Sequence, residues 1–399
     1  MRYCSQPLTS LTAVLVFAKT DMAQAPSGGV FALALSKGDD FPIHQTPEPI
    51  AYSGTDRNFY DRYFFNGYST QAGSTSFFAV AFGVYPHLNI ADAAFVVVRN
   101  GVETALHASR CLNMERMEIC VGPIRIDVIE PLHKLRVLVN DPERGIAADL
   151  VFTGRAAPIE EPRFIRRIGP RTLMDYTRLT QNGRYHGFVD LDGAREVVEG
   201  FVGTRDRSWG VRPVGMRDPQ ALVPATPPQF FWLWSPTNFE KASLFFHSND
   251  DAAGLPWNRR AVWAPDDGPA REFENAKAQI AWKSGTRQAA SATLTLGEGA
   301  ERLEVTFTPI YNFFMLGLGY GHPKWAHGLN HGELAIERED IVLKDVDVGQ
   351  PHHLHIQALC DVTCRGAGGQ MHQGRGVLEQ LAMGPHAPSG FKATLDFAP

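Results

Sequence analysis

The sequence predicts an all-β protein made of antiparallel sheets. Apolar side chains alternate with a period of two along residues 76–85, which is the pattern of a strand with one buried face. The turn dipeptide Asn100-Gly101 follows the next apolar run, 94–99, and is a strong signal for a hairpin. No comparably long segment repeats its apolar residues with the 3.6-residue period of a helix. The 37 glycines, 27 prolines and 25 phenylalanines also favour sheets joined by turns.

Patterns in the two halves of the chain predict two consecutive β-domains. A turn followed by an alternating strand occurs at residues 140–153 and again at 297–309. The proline-bearing segment 218–228 is the best candidate for a stiff linker between the halves. We therefore expect an N-terminal extension at 1–44, a first β-domain at 45–220 and a second β-domain at 221–399.

The first 25 residues have features of a secretory signal. The apolar run 11–18 precedes small residues at 23–25 that resemble a cleavage site. Against that interpretation, Lys19 and Asp21 directly follow the apolar run, and Met22 offers a second start. A cytoplasmic location is therefore the expectation, with a secreted or periplasmic location as the alternative.

Composition and charge argue against several kinds of partner. The formal net charge is -5, so a nucleic-acid role has no electrostatic support. No segment approaches the roughly 20 consecutive apolar residues of a membrane span, and stable membrane insertion is not expected. The five cysteines are an odd number without redox spacing, which favours buried free thiols. No oligomeric state follows from the sequence.

Residues 205–213 form the densest candidate site. They hold three arginines, one aspartate and one tryptophan directly after a predicted strand. Trp209 offers a large apolar face with one N–H donor, and Asp206 can neutralise a neighbouring arginine, with Arg212 as a further binding residue. Two interpretations stay open: the wall of a ligand pocket, or a structural arginine–carboxylate network that closes one end of a β-barrel.

A second cluster, residues 319–334, combines histidines, aromatic residues and a carboxylate. His327 and His331 are four residues apart, as two metal ligands on a helix would be, but the glycine that follows each of them disfavours a helix. No metal is therefore expected. Acid–base chemistry explains these histidines better, together with Glu333 as a candidate acid and Trp325 as an aromatic contact.

The tract 60–68 and one late carboxylate complete the candidate residues. Tyr60, Tyr63 and Asn66 suit a pocket that grips an apolar ligand by one polar end, and a well-packed edge strand is the alternative. Glu379 interrupts an apolar stretch. It is therefore either buried with a partner or a shifted pKa, or it faces water on a strand.

Common cofactor and nucleophile motifs are missing from the sequence. It contains no GxGxxG opening a βαβ unit, no GxxxxGK[ST] loop and no GxSxG elbow. No cofactor is expected, and nucleotide-dependent chemistry and the common serine-hydrolase layout lack support.

Taken together, four segments resemble the lipocalin-like superfamily that includes the AttH-like proteins and the carotenoid 1,2-hydratases. They are residues 60–68, 82–86, 205–213 and 325–333, and the resemblance spans most of 45–390. It implies two consecutive lipocalin-like antiparallel β-barrel or sandwich domains, with a ligand cavity at or between them. It also implies that Asp206 and Trp209 fall among the cavity residues.

The resemblance and the candidate residues lead to two functional hypotheses. The first is a cofactor-independent lyase of the hydratase or dehydratase type, or an isomerase, acting on an apolar isoprenoid-like or steroid-like molecule. The second is a non-catalytic carrier of a hydrophobic small molecule. In the lyase, the roles would be Asp206 or Glu333 as the acid, Trp209 and Trp325 as stabilisers of the cation, and His327 or His331 as the group that handles water.

Overall fold

The computed structural model describes residues 35–44, 56–218, 220 and 223–399, and Ala34–Pro399 form one compact unit. In the described part, every regular element is a β-strand or a short 3-10 helix, so the predicted all-β class is confirmed. No helix of these residues has the length and apolarity that a membrane span requires. The choice between a signal sequence and a cytoplasmic start concerns the first 25 residues, which lie outside the described residues.

Fourteen strands form the first sheet. They are β1 (Phe59–Tyr68), β2 (Phe77–Tyr85), β3 (Ile90–Arg99), β4 (Val102–Cys111), β5 (Cys120–Val121), β6 (Ile124–Glu130), β7 (Lys134–Asp141), β8 (Ile146–Gly154), β9 (Ile159–Glu160), β10 (Phe164–Ile168), β11 (Arg171–Leu191), β12 (Ala194–Val197), β13 (Phe201–Val211) and β22 (Leu334–Val342). Their main order is β22-β4-β3-β2-β1-β13-β11-β8-β7-β6-β5, and β9, β10 and β12 pair with β11.

Ten strands form the second sheet. They are β14 (Phe230–Trp234), β15 (Thr237–Phe239), β16 (Ala242–Asp250), β17 (Pro256–Pro265), β18 (Arg271–Glu272), β19 (Ala276–Trp282), β20 (Ala289–Leu296), β21 (Leu303–Phe314), β23 (Ile356–Gly366) and β24 (Met371–Met383). Their order is β18-β17-β16-β14-β24-β23-β21-β20-β19, and β15 pairs with β16 and β24.

The 3-10 helices are three or four residues long. They comprise Lys37–Asp40, Pro86–Leu88, Pro142–Arg144, Gly299–Glu301, Met315–Leu318, Leu343–Asp345, Pro351–His353 and Ala387–Ser389.

The strands of the first sheet precede those of the second along the chain, with one exception. Strand β22 belongs to the second half of the sequence, yet it pairs antiparallel with β4 at the edge of the first sheet. The sequence did not predict this crossover, because the alternation within a strand does not reveal its partner. The predicted boundary between residues 220 and 221 stays a prediction.

A shared core joins the two sheets. Side chains alternate between the two faces of a strand. On β1, Tyr63 therefore packs into the core that the first sheet forms by itself, on what we call its interior face, and Phe64 lies on the opposite face, toward the second sheet. There Phe64 packs edge-on against Trp234 of the second sheet, with ring centres 6.0 Å apart. Burying each such side chain contributes about 1.5–3 kcal/mol. The interface between the sheets is therefore a true core, and any polar group within it needs a partner.

A row of four glycines crosses the first sheet. Gly67 on β1 pairs with Gly203 on β13, Gly203 pairs with Gly183 on β11, and Gly183 pairs with Gly154 on β8. A Cβ atom at any of these positions would lie 2.0–2.2 Å from another heavy atom. Glycine inside a strand marks such close approaches. The row therefore lets neighbouring side chains and backbone pack directly against these strands.

The substitution Gly203→Ala is expected to destabilise the protein by about 1–3 kcal/mol, because its new Cβ would meet a rigid backbone atom. That Cβ would lie 2.0 Å from the carbonyl oxygen of Asn66. Gly368→Ala is the matched control, since no atom lies within 4 Å of its added Cβ. Urea unfolding of both variants measures the difference. Equal midpoints for the two variants would show that the glycine row does not matter.

Candidate active site between the two sheets

The alternation along β13 divides the arginine-rich motif between two faces of the first sheet. Arg205, Arg207 and Trp209 point into the interior of that sheet, whereas Asp206 points to the interface with the second sheet. Asp206 and Trp209 therefore do not line the same surface. The ligand-pocket interpretation applies to the face that carries Asp206, and the structural-network interpretation applies to the face that carries Arg205, Arg207 and Trp209.

The interior face of the motif is a structural network. The Arg205 guanidinium pairs with the fully buried Asp40 carboxylate, and Arg207 Nη1 lies 2.6 Å from Asp61 Oδ1. The Trp209 ring stacks on the ring of His44 at a centroid distance of 3.7 Å. These contacts fix residues 36–44 against the first sheet. They match the interpretation of an arginine–carboxylate network that closes one end of a barrel.

At the interface, Asp206 is held by a buried arginine. Arg178 Nη2 lies 3.0 Å from Asp206 Oδ2, and Arg178 Nε lies 3.3 Å from Glu161 Oε1. The Arg178 guanidinium also lies 4.9 Å from the ring of Trp232 and 5.0 Å from that of Trp234. The Arg178 guanidinium therefore interacts with two carboxylates and two indole rings. Because the site is buried, water screens these interactions only weakly.

Burial sets the protonation of the two carboxyls. It raises the pKa of Asp206 to about 6, although the charge of Arg178 acts in the opposite direction. The nearby charges of Glu161 and Glu379 add to this rise. Burial also raises the pKa of Glu161, again against the charge of Arg178. Asp206 can therefore give or take a proton near neutral pH, which is the property of a general acid.

The third carboxylate, Glu379, is fully engaged. Trp232 Nε1 donates to Glu379 Oε1 at 2.8 Å, and His355 Nε2 lies 2.8 Å from the same oxygen. Gln357 Nε2 donates to the other oxygen at 2.7 Å, and its own carbonyl accepts a hydrogen bond from Asn66 at 3.0 Å. Burial acts to raise the pKa of Glu379, but the contacts with His355 lower it overall. Glu379 is therefore buried and ionised, and the interpretation that it faces water is wrong.

A tyrosine connects this cluster with the histidine-rich tract. The ring of Tyr320 lies edge-on to His355 at 4.8 Å and to His327 at 4.7 Å. His327 Nδ1 lies 3.8 Å from Asp92 Oδ1, and burial lowers the pKa of His327 well below its usual value. Burial likewise raises the pKa of Asp92 to about 6. His327 is therefore a neutral imidazole at the edge of the cluster.

Two arginines lie beside the rings of Tyr60 and Tyr320. The Arg62 guanidinium lies 5.6 Å from the ring centre of Tyr60 and 5.2 Å from that of Tyr320. Arg212 lies 4.6 Å and 5.6 Å from the same two rings. Arg62 Nη2 donates to the hydroxyl of Tyr85 at 2.8 Å.

The structure thus brings together about half of the residues that the sequence singled out. Those at the interface are Tyr60, Asn66, Asp206, Arg212, His327 and Glu379. Tyr63 is three residues from Tyr60, and Trp209 is three residues from Asp206. Because an odd spacing on a strand places side chains on opposite faces, Tyr63 and Trp209 lie on the interior face of the first sheet instead.

Three predicted residues lie apart from this cluster. Trp325 is sandwiched between His107 and His331, with ring distances of 5.4 Å and 4.2 Å, and its N–H donates to Glu337 at 2.9 Å. Glu333 is exposed, since it follows a loop glycine just before the edge strand β22. A solvated carboxylate of this kind lies outside the buried cluster. Of the two acids that the sequence singled out, Asp206 and Glu333, Asp206 is therefore the one that belongs to this site.

One further histidine cluster tests the expectation that no metal binds. Among the described residues, His107, His322 and Glu339 bring potential ligand atoms within 4.8 Å of one another. The backbone N–H groups of Lys324 and Trp325 donate to Nδ1 of His322 at 3.0 and 2.8 Å. Because Nδ1 accepts, Nε2 carries the proton and donates to Glu339 at 2.9 Å. A metal would need that nitrogen deprotonated, so these residues do not fit a metal site.

We did not single out Arg178, Arg62 or Glu161 from the sequence. Arg178 and Glu161 lie in segments that carry no recognisable motif, and only the register of β11 against β13 brings Arg178 beside Asp206. Arg62 stood within the tract 60–68 but was not singled out. Its position two residues from Tyr60, on the same strand face, was the available signal.

The fold and the buried cluster define a two-sheet antiparallel β-protein with an ionisable core between its sheets. The chain belongs to the Family of unknown function (DUF8625), whose family model matches residues 35–392. No curated protein sequence matches the chain at a significant level.

Comparison with solved structures finds two to which this chain is similar at low identity. A crystal structure described as an AttH from Nitrosomonas europaea has a TM-score of 0.48 and 13% identity, covering 84% of this chain and 96% of that one. The crystal structure of CghA with Sch210972 has a TM-score of 0.45 and 11% identity, with coverage of 82% and 89%. These likenesses concern the fold and say nothing about activity.

Proposed function

We propose that the protein is a cofactor-independent acid–base catalyst of the hydratase or dehydratase type, acting on an apolar small molecule between the two sheets. The observation that carries the proposal is the carboxyl of Asp206. It is buried among aromatic side chains, beside Arg178, and its pKa is about 6. A carboxyl with that pKa is half protonated at about pH 6, holds the proton in part of the molecules at neutral pH, and can serve as a general acid.

The proposed reaction balances without any cofactor. The Asp206 carboxyl transfers its proton to one carbon of a carbon–carbon double bond. Water then adds to the other carbon and gives its second proton back to the Asp206 carboxylate, so the enzyme returns to its starting state. Dehydration of an alcohol follows the same steps in reverse. Arg178 stabilises the carboxylate while the proton is away, at a distance of 3.0 Å.

Purified protein incubated in D₂O with a panel of isoprenoid alkenes and tertiary alcohols, each as the neutral compound and as its carboxylic acid, tests the proposal. We expect gain or loss of water for at least one substrate, with deuterium from the solvent on the carbon that Asp206 protonates. Mass spectrometry detects both changes. If the whole panel returned unchanged and free of carbon-bound deuterium, the lyase proposal would be overturned.

A binding protein is the second candidate, and the state of Glu379 favours it. Three side-chain groups already surround this carboxylate within 2.8 Å, as in a purely structural network. Native mass spectrometry of protein purified from its own host distinguishes the two candidates. A chemically unchanged hydrophobic ligand that co-purifies and survives incubation supports binding, whereas a converted ligand supports catalysis.

A further inference from the structure

Two guanidinium groups at the interface differ from those of Arg178, Arg205 and Arg207. Arg205, Arg207 and Arg178 each pair with a buried carboxylate. Arg62 is only 1% exposed and Arg212 is partly buried, yet neither forms an ion pair with a carboxylate in the part of the chain that the structure describes. An unpaired charge inside a protein is costly by several kcal/mol.

The hydrogen bonds of Arg62 leave most of its guanidinium available. Its Nη2 donates to the hydroxyl of Tyr85, which in turn donates to Asp92 at 3.1 Å. Its Nε and Nη1 have no hydrogen-bond partner among the described residues. Asp92 stabilises the charge of Arg62 from a distance, but it accepts its hydrogen bonds from the tyrosine hydroxyl and from the backbone N–H of Gly328 at 2.6 Å, so it leaves Nε and Nη1 without a partner.

Arg62 and Arg212 converge on the same two rings. Both guanidinium carbons lie within 5.6 Å of the ring centres of Tyr60 and Tyr320. Two cations so close to common neighbours repel each other. A negative charge between them would remove both the repulsion and the cost of the unpaired donors, and arginine is well suited to bind a carboxylate or enolate oxygen.

We propose that the ligand of this site carries an anionic oxygen, a carboxylate or an enolate, which binds to Arg62 and Arg212 beside the rings of Tyr60 and Tyr320. This inference rests on the proposed function, because it uses the same site and names the class of its ligand. The substrate is then an apolar acid and not a neutral hydrocarbon or alcohol.

Strand register places the anion site relative to the acid. Arg62 pairs across the strands with Ser208, which lies two residues from Asp206 on β13. Two residues of a strand span about 7 Å. An acid group held by Arg62 would therefore place a carbon a few bonds along the ligand next to the carboxyl of Asp206. The proposed ligands are therefore apolar acids with a double bond or a hydroxyl near the acid group.

Fluorescence titration with cis-parinaric acid and its methyl ester tests the inference. The two probes share one apolar chain and differ only in the negative charge. We expect the wild-type protein to bind the acid at least about 10-fold more tightly than the ester, which corresponds to about 1.4 kcal/mol. Arg62→Met and Arg212→Gln should each remove most of this preference, with little change in affinity for the ester.

Arg195→Gln serves as the matched control. Arg195 also lies over an aromatic ring, 3.9 Å from that of Phe188, but it is largely exposed and pairs with Asp190, at the end of β11 away from Arg178. This control should keep the full preference for the acid. Because Arg62→Met changes a buried residue, circular dichroism checks its fold, and the less buried Arg212→Gln provides an independent test.

Equal binding of acid and ester by the wild-type protein, or binding of neither, would overturn the inference. So would a preference for the acid that survives in both Arg62→Met and Arg212→Gln. Deuterium transfer that continues on neutral substrates while the acid preference is absent would overturn the anion site alone and leave the proposed function standing.

Discussion

The substitution Arg178→Met is expected to lower the free energy of unfolding by about 3–5 kcal/mol at pH 7, because it leaves buried carboxylates without their counter-charge. Arg178 is the guanidinium that both Asp206 and Glu161 contact, at 3.0 and 3.3 Å. Methionine fills a similar apolar volume, so that the loss reflects charge more than packing. Arg178 is also the residue on which the electrostatics of the whole interface depend.

The loss should shrink in acid. Arg178 lowers the pKa of both carboxyls, so its removal lets both rise further and take up protons as the pH falls. Once the carboxyls are neutral, no buried charge is left unpaired. Urea unfolding at pH 7 and pH 5 measures this change, and Arg302→Met, at an exposed ion pair with Glu304, is the control. A loss equal to that of the control at pH 7 would contradict the prediction.

The substitution Asp206→Asn is expected to reduce turnover on a confirmed substrate by about 100-fold or more, because asparagine cannot supply the proton. Its stability should not suffer. Burial raises the folded-state pKa of Asp206 to about 6, above its ordinary value of 3.8, so the folded state holds this proton more tightly than the unfolded chain does. The stability from that proton is present below about pH 4 and is lost as the pH rises through about 6.

The penalty for the ionised Asp206 in the folded protein is about 3 kcal/mol at pH 7, and the neutral amide avoids it. Asp206→Asn should therefore unfold at the same or a higher urea concentration than the wild-type protein. Asp190→Asn, on the same sheet and in a partly exposed ion pair with Arg195, should leave turnover unchanged. Full turnover in Asp206→Asn would assign the acid to another group.

The sequence predicted the all-β class because alternation and turn dipeptides are local signals. It also predicted a buried and partnered Glu379 as one of two options, since a charged residue inside an apolar stretch must be satisfied. It did not predict the exchange of β22 into the first sheet, which depends on pairing between residues far apart along the chain. For the same reason no local pattern indicated that Arg178 lies beside Asp206.

The candidate residues separated according to strand parity. Asp206 and Trp209 are three residues apart, and an odd spacing on a strand places side chains on opposite faces. Proximity in the sequence therefore suggested a common pocket that the strand geometry excludes. Glu333 was chosen for its chemistry alone, and exposure removed it, because the edge position of β22 leaves this residue in solvent.

The ionisation of Asp206 in the folded, ligand-free protein tests the central claim most directly. Infrared difference spectra recorded between pH 4 and pH 8, with Asp206→Asn as the subtraction reference, isolate the carboxylic acid band of this residue. The account predicts a band that disappears with a midpoint near pH 6. A band already absent at pH 4 would mean an ordinary, ionised aspartate, and Asp206 could then not be the acid of this site.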